Sequence, residues 1–144
     1  MNVKNCGKMM ERHLNNFFGF KPNMSDFGSD VSFLVYDEYD SRTTRALGGD
    51  YESSITFTIS RWKELSVEIY FSNARARVVA PYLPRILRAI YDSNFYTDST
   101  PYISGESALS CRISLKEVDE SNLSGALDDL LKAFGFALIE LDKI

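Results

Sequence analysis

The chain is poor in the residues that usually carry chemistry. Across 144 residues there is one histidine, one tryptophan, two cysteines and four prolines. His13, the lone imidazole, falls near the apolar face of an N-terminal helical pattern, and no nucleophile motif accompanies it. A structural histidine is therefore expected, since Ser-His or Cys-His chemistry needs a nucleophile within hydrogen-bond reach. Two cysteines, Cys6 and Cys111, make neither a disulfide framework nor a zinc spacing. They read as reduced thiols of a cytoplasmic protein. No stretch approaches the roughly 18–20 apolar residues of a membrane span. The opening MNVKNCGKMMERHLNN has no apolar core of a signal peptide, so no membrane is expected as a partner. The Asn-x-Ser patterns at Asn23 and Asn122 read as chance matches. Internal repeats and low-complexity segments are absent as well.

What is present is the balance of an ordinary globular chain, 44% hydrophobic and 25% charged. That length suits one domain, residues 1–144, with its own core. A net charge of −4 opposes DNA, RNA and anionic surfaces as main ligands and suits a basic partner.

Periodicity gives the elements. Residues 8–18 put Met10, Leu14, Phe17 and Phe18 on one helical face, with Gly19 and Pro22 as the stop. Residues 19–30 read as a loop. Val31, Phe33 and Val35 alternate with Ser32, Leu34 and Tyr36, a strand. Residues 37–53 have no clean period and read as an irregular insertion, either a long loop or a ragged hairpin. SITFTIS and LSVEIYF, joined by RWKE, form an antiparallel hairpin. ARARVVA, after Ser72-Asn73, reads as a further strand. PYLPRILRAIYDSN is a helix burying Leu83, Ile86, Leu87 and Ile90. ALSCRISL is a strand with Leu109, Cys111, Ile113 and Leu115 on one face. Asp119 or Ser121 caps a last helix carrying Leu123, Leu127, Leu130, Leu131 and Phe134. Gly135 reads as its stop, and FALIEL either extends it or forms a short strand.

The order helix–strands–helix–strand–helix predicts an α+β fold: a mainly antiparallel sheet with amphipathic helices packed on one face. The other face would carry Thr56, Thr58, Glu68, Tyr70 and Arg112. ILRAIYDSNF, then ALSCRISL, then ESNLSGALDDLLKAF is similar to the second half of the type III secretion chaperones and of the YbjN-type domain, a sensory-transduction regulator. Leu87, Ala89, Asn94, Leu109, Leu115, Leu123, Leu127 and Leu130 occupy the comparable places, and the likeness spans about residues 54–135. The resemblance implies a small, acidic, non-catalytic protein that binds another protein, often as a homodimer.

Chemical motifs fail one by one. Gly105-Glu106-Ser107-Ala108-Leu109 lacks the second glycine of a nucleophile elbow. Ser60-Arg61-Trp62-Lys63 fits S-x-x-K at a hairpin turn without partner motifs. Gly48-Gly49 is followed by no G-K-[ST]. Asp128 and Asp129 point about 100° apart on a helix and cannot share a proton. Asp37, Glu38 and Asp40 lack calcium-loop spacing. No catalytic residue, metal or cofactor is expected, and the protein is not read as an enzyme. Arg61, Lys63, Arg75, Arg77, Arg85 and Arg88 make the middle locally basic, yet the acidic total and the missing RNP-like motif disfavour nucleic acid.

One cluster stands out. Tyr36, Asp37, Glu38, Tyr39 and Asp40 are followed by Asp50, Tyr51 and Glu52. Tyrosines supply contact area and carboxylates steer basic partners. These eight residues are the candidate partner-binding set. Two functions suit them: a factor that holds one dedicated partner protein, as a secretion chaperone holds an effector, or an immunity protein that neutralises a toxin, for example a basic nuclease.

Overall fold

The structure, a computed structural model, describes residues 2–26, 30–35, 41–48, 52–92, 98–99, 102–104 and 108–144. Helix α1 spans Val3–Phe18 and starts earlier than its apolar pattern, because the Asn2 side chain accepts the Asn5 N–H at 3.3 Å. It ends at Gly19, whose φ of 80° supplies the left-handed cap. Strands β1 (Asn23–Asp26) and β2 (Asp30–Val35) follow, then helix α2 (Ser41–Leu47) and the hairpin β3 (Ser54–Ser60) and β4 (Leu65–Phe71). Helix α3 (Asn73–Val79), a 3-10 turn (Ala80–Tyr82) and α4 (Leu83–Asp92) cross to β5 (Asp98–Ser99), β6 (Tyr102–Ser104) and β7 (Ala108–Leu115), and α5 (Leu123–Asp142) closes the chain.

Every strand pairing is antiparallel. The sheet order is β1-β2-β3-β4-β7-β5, with β6 also on β7. Register puts the apolar residues in rows: Phe33, Phe57, Val67 and Ile113 lie side by side, as do Val35, Ile55, Ile69 and Cys111. All eight are buried. A slip of one residue would send a whole row to the opposite face, so burial itself holds the register.

The helices cover that apolar face, giving the α+β architecture that the pattern predicts. Phe57 of β3 meets Phe18 of α1 at 5.9 Å and Phe134 of α5 at 5.2 Å, both edge-on. Such pairs add about 0.5–1.5 kcal/mol beyond their buried area. Gly7 lets α1 sit close on the sheet, since a β-carbon there would stand 3.1 Å from Val31 Cγ1.

The structure corrects several expectations. The loop over 19–30 contains β1, which lies beside β2 as an edge strand; its polar residues hide the usual alternation. Within the irregular 37–53 stretch, residues 41–47 form α2, held by buried Thr43, Ala46 and Leu47. ARARVVA is helical, not a strand. Ala and Arg favour helix, and Ala76 and Val79, three apart, are the buried pair. Gly135 does not stop the last helix. A mid-helix glycine costs about 1 kcal/mol, but Ala137, Leu138 and Leu141 beyond it are buried and outweigh that. The helix caps at Asn122 rather than Asp119 or Ser121; Asp119 instead accepts from Ser121 within the preceding turn. In α4, Ile86 and Ile90 are buried, while Leu83 and Leu87 are half-buried.

Candidate functional site

Alternation puts the polar residues of the strands together on the second face of the sheet, where Ser66, Ser110 and Ser114 are buried. Ser25, Ser32, Thr58, Ser66 and Ser114 form a transverse row of small hydroxyls. Ser32 Oγ and Thr58 Oγ1 are 2.9 Å apart. The next row is Leu34, Thr56, Glu68 and Arg112, and the next holds Ser54, Tyr70 and Ser110. Thr56, Thr58, Glu68, Tyr70 and Arg112 thus stand where the sequence pattern put them. All five are half-buried by their row neighbours. Arg112 pairs with Glu64, the residue just before β4.

The face has two ends. At one, the turn between β3 and β4 carries Trp62, 76% exposed, with the Arg61 guanidinium 4.6 Å from its ring centroid. This turn is rigid. Lys63 adopts φ 60°, its N–H donates to Ser60 O, and its carbonyl accepts from Val118 N at 2.8 Å. At the other end Val35 and Ile55 are paired, so the stretch between β2 and β3 leaves and rejoins the sheet there. Of the eight predicted partner-binding residues, Tyr36, Asp37, Glu38, Tyr39, Asp40, Asp50 and Tyr51 lie outside the described residues. Glu52 is exposed, next to buried Ser53, whose Oγ accepts from Ser72 N at 3.0 Å.

His13 is held as a structural group. Its Nδ1 donates to Met9 O at 3.0 Å, since a carbonyl can only accept. Nε2 faces two groups, 3.3 Å from Ser124 Oγ and 3.8 Å from Asp128 Oδ1. A hydrolytic triad needs the carboxylate on one ring nitrogen and the nucleophile on the other. Here both address Nε2, so Asp128 cannot orient the ring for Ser124. Burial raises both thiols, Cys111 to about 11 and Cys6 above its ordinary value with Glu120 adding to the effect. Both stay protonated and unreactive at neutral pH. Among the described residues no group of three His, Cys, Asp or Glu converges as a cation site. No helix among them is long and apolar enough to cross a membrane.

The basic middle does not form one patch. Arg75 donates to Ala46 O and Arg45 O, and Arg85 pairs with Glu140. Two features escape the sequence pattern. Trp62 sits in a turn, where an exposed indole is itself a signal. Phe136 and Ile139 are 38% and 55% exposed on the outer side of α5. There the run FALIEL is apolar on more than one helix face. No family model, curated protein or solved structure matches the chain.

Proposed function

We propose that this chain is a non-enzymatic binding factor that holds one dedicated protein partner as a homodimer, in the manner of the secretion chaperones, whose second half residues 54–135 resemble. The observation that carries the reading is Trp62, largely exposed under the Arg61 guanidinium in the turn between β3 and β4. Trp and Arg dominate interface hot spots. An indole left in water on a pinned turn loses little entropy when a partner covers it.

Size and charge favour a particular partner. Seven-residue strands are roughly 24 Å long and four of them span roughly 20 Å, so the face offers about 500 Å². A standard interface takes about 800 Å² from each side. Trp62 at one end adds to that area. In the sequence, Tyr36–Asp40 with Asp50–Glu52 carries five carboxylates on a chain of net charge −4, which suits a basic partner segment.

The test is a tagged pull-down from the native host at native expression, read by mass spectrometry, with wild type beside Trp62→Ala and an Asp37→Lys/Glu38→Lys/Asp40→Lys variant. One stoichiometric partner, lost in Trp62→Ala and weakened in the charge reversal, is the expected result. A folded toxin held one-to-one would move the protein to the immunity class. Absence of any partner above background would remove the reading.

A further inference from the structure

The C-terminal half of α5 presents a groove of about 420 Å³ between α1, α2 and α5. Phe17, Leu131 and Leu138 line it, Phe136 and Ile139 stand exposed beside it, and Arg45, Lys132 and Asp142 form its polar margin. Gly135 leaves a hollow in it: a β-carbon built there meets no atom within 4 Å.

The spacing along this face is self-complementary. Lys132, Gly135, Ile139 and Asp142 fall at i, i+3, i+7 and i+10, a single stripe on one side of a helix. We infer that the groove is filled by α5 of a second copy of this chain, running antiparallel about a two-fold axis level with Ala137. Residues equally far on either side of that axis then face each other. Lys132 meets Asp142 of the other copy, and Ile139 enters the hollow over the other copy's Gly135. Phe136 comes level with Leu138. Each contact occurs twice, as a two-fold interface requires. Positive meets negative and large meets absent, whereas a parallel pairing in register would oppose lysine to lysine and leave both hollows empty.

Asp142 is already held at the margin, its Oδ1 2.5 Å from Arg45 Nε. In the dimer that carboxylate lies between its own Arg45 and the other copy's Lys132. The stripe is about 15 Å long by helical rise and about 10 Å, one helix, wide, roughly 150 Å², well short of the roughly 800 Å² per partner of a standard interface. The dimer is therefore weak and reversible, and it lies on the helical side of each copy, opposite the polar face of the sheet. This names the surface of the homodimer in the proposed function and rests on that part of it. Its test needs only pure protein, so it fails separately from partner capture.

Sedimentation velocity of the full chain from about 1 μM to about 500 μM, the range of weak complexes, reads the equilibrium. Wild type is expected to shift from monomer to dimer across that range. Gly135→Leu fills the hollow, has room in the monomer and favours helix, so it should fold and melt no lower than wild type yet stay monomeric. Lys132→Asp should weaken the dimer at least tenfold by opposing Asp142, and adding Asp142→Lys together with Arg45→Asp, which reverses the whole charge group, should restore it. A monomer at every concentration overturns the inference. So does a dimer indifferent to Gly135→Leu, and failure of the triple charge swap to recover association overturns the antiparallel pairing.

Discussion

Arg75 lies across Gly48. A β-carbon on Gly48 would stand 2.8–2.9 Å from Cδ, Nε and Cζ of Arg75. The two residues together close the C-terminus of α2. Gly48 takes φ 68° and donates its N–H to Thr44 O at 2.8 Å. Arg75, from α3, donates to the carbonyls of Ala46 at 3.2–3.3 Å and Arg45 at 3.1 Å. The short helix α2 is thereby tied to the crossover.

Gly48→Ala should lower stability by about 1–3 kcal/mol. The left-handed backbone is strained for alanine, and Arg75 must swing away and give up its carbonyls. Arg75→Ala removes the cap but leaves the glycine, and should cost about 1 kcal/mol. Urea denaturation of both single variants and the double checks this; the double should lose less than the sum, because alanine at 48 has already displaced the guanidinium.

Helix α4 gives a graded test of core placement. Ile90 is fully buried, so Ile90→Ala should cost about 2–5 kcal/mol. Leu87 is half-buried, and Leu87→Ala should cost clearly less, about 1–2 kcal/mol. Denaturation midpoints at constant slope separate the two. Equal losses would show that Leu87 is covered.

Cys111 predicts an alkaline limit. Its thiol has an ordinary value of 9.0 and is raised to about 11 by burial in β7. Above pH 9 the unfolded chain gives up this proton while the folded chain keeps it. Stability from this group is therefore full below pH 9 and falls as pH rises toward 11, by roughly 2–3 kcal/mol in all. Chemical denaturation at pH 8 and pH 10.5 should show the drop, and Cys111→Ala, though less stable at pH 8, should show a smaller one. Cys111 and Cys6 should also resist thiol reagents at neutral pH until the protein is denatured.

Trp62 is the sole tryptophan, and its exposure makes two readouts independent. Its fluorescence in the native protein should be readily quenched by iodide. Trp62→Ala should shift stability by no more than about 0.5 kcal/mol. Partner capture lost without a change in melting would separate binding from folding at this residue.

Strong local periods are legible in the amino-acid order itself. SITFTIS and LSVEIYF alternate without a break, and β3 and β4 match those stretches. Thr56, Glu68 and Arg112 fall on the polar face for the same reason, since a pleated strand offers only two sides. Weak or mixed signals mislead. Asn23–Asp26 carries no apolar alternation and is a strand only because β2 offers an edge to pair with. ARARVVA alternates by accident, and the apolar positions that matter in it are three apart. Most of the predicted tyrosine–carboxylate cluster falls outside the described residues, and of it only exposed Glu52 has a described place, at the end of the sheet opposite Trp62.

Taken alone, the sequence determined the α+β class, the strands with clean alternation, and which side of each meets the core. Those follow from dihedral geometry and hydrophobic burial, which act within a few residues. Tertiary structure alone decided the strand order, the continuation of α5 through Gly135, the helix at Ser41–Leu47 and the meeting of Arg75 with Gly48. Each of these depends on contacts between residues far apart in the chain, where burial elsewhere outweighs a local preference of about 1 kcal/mol.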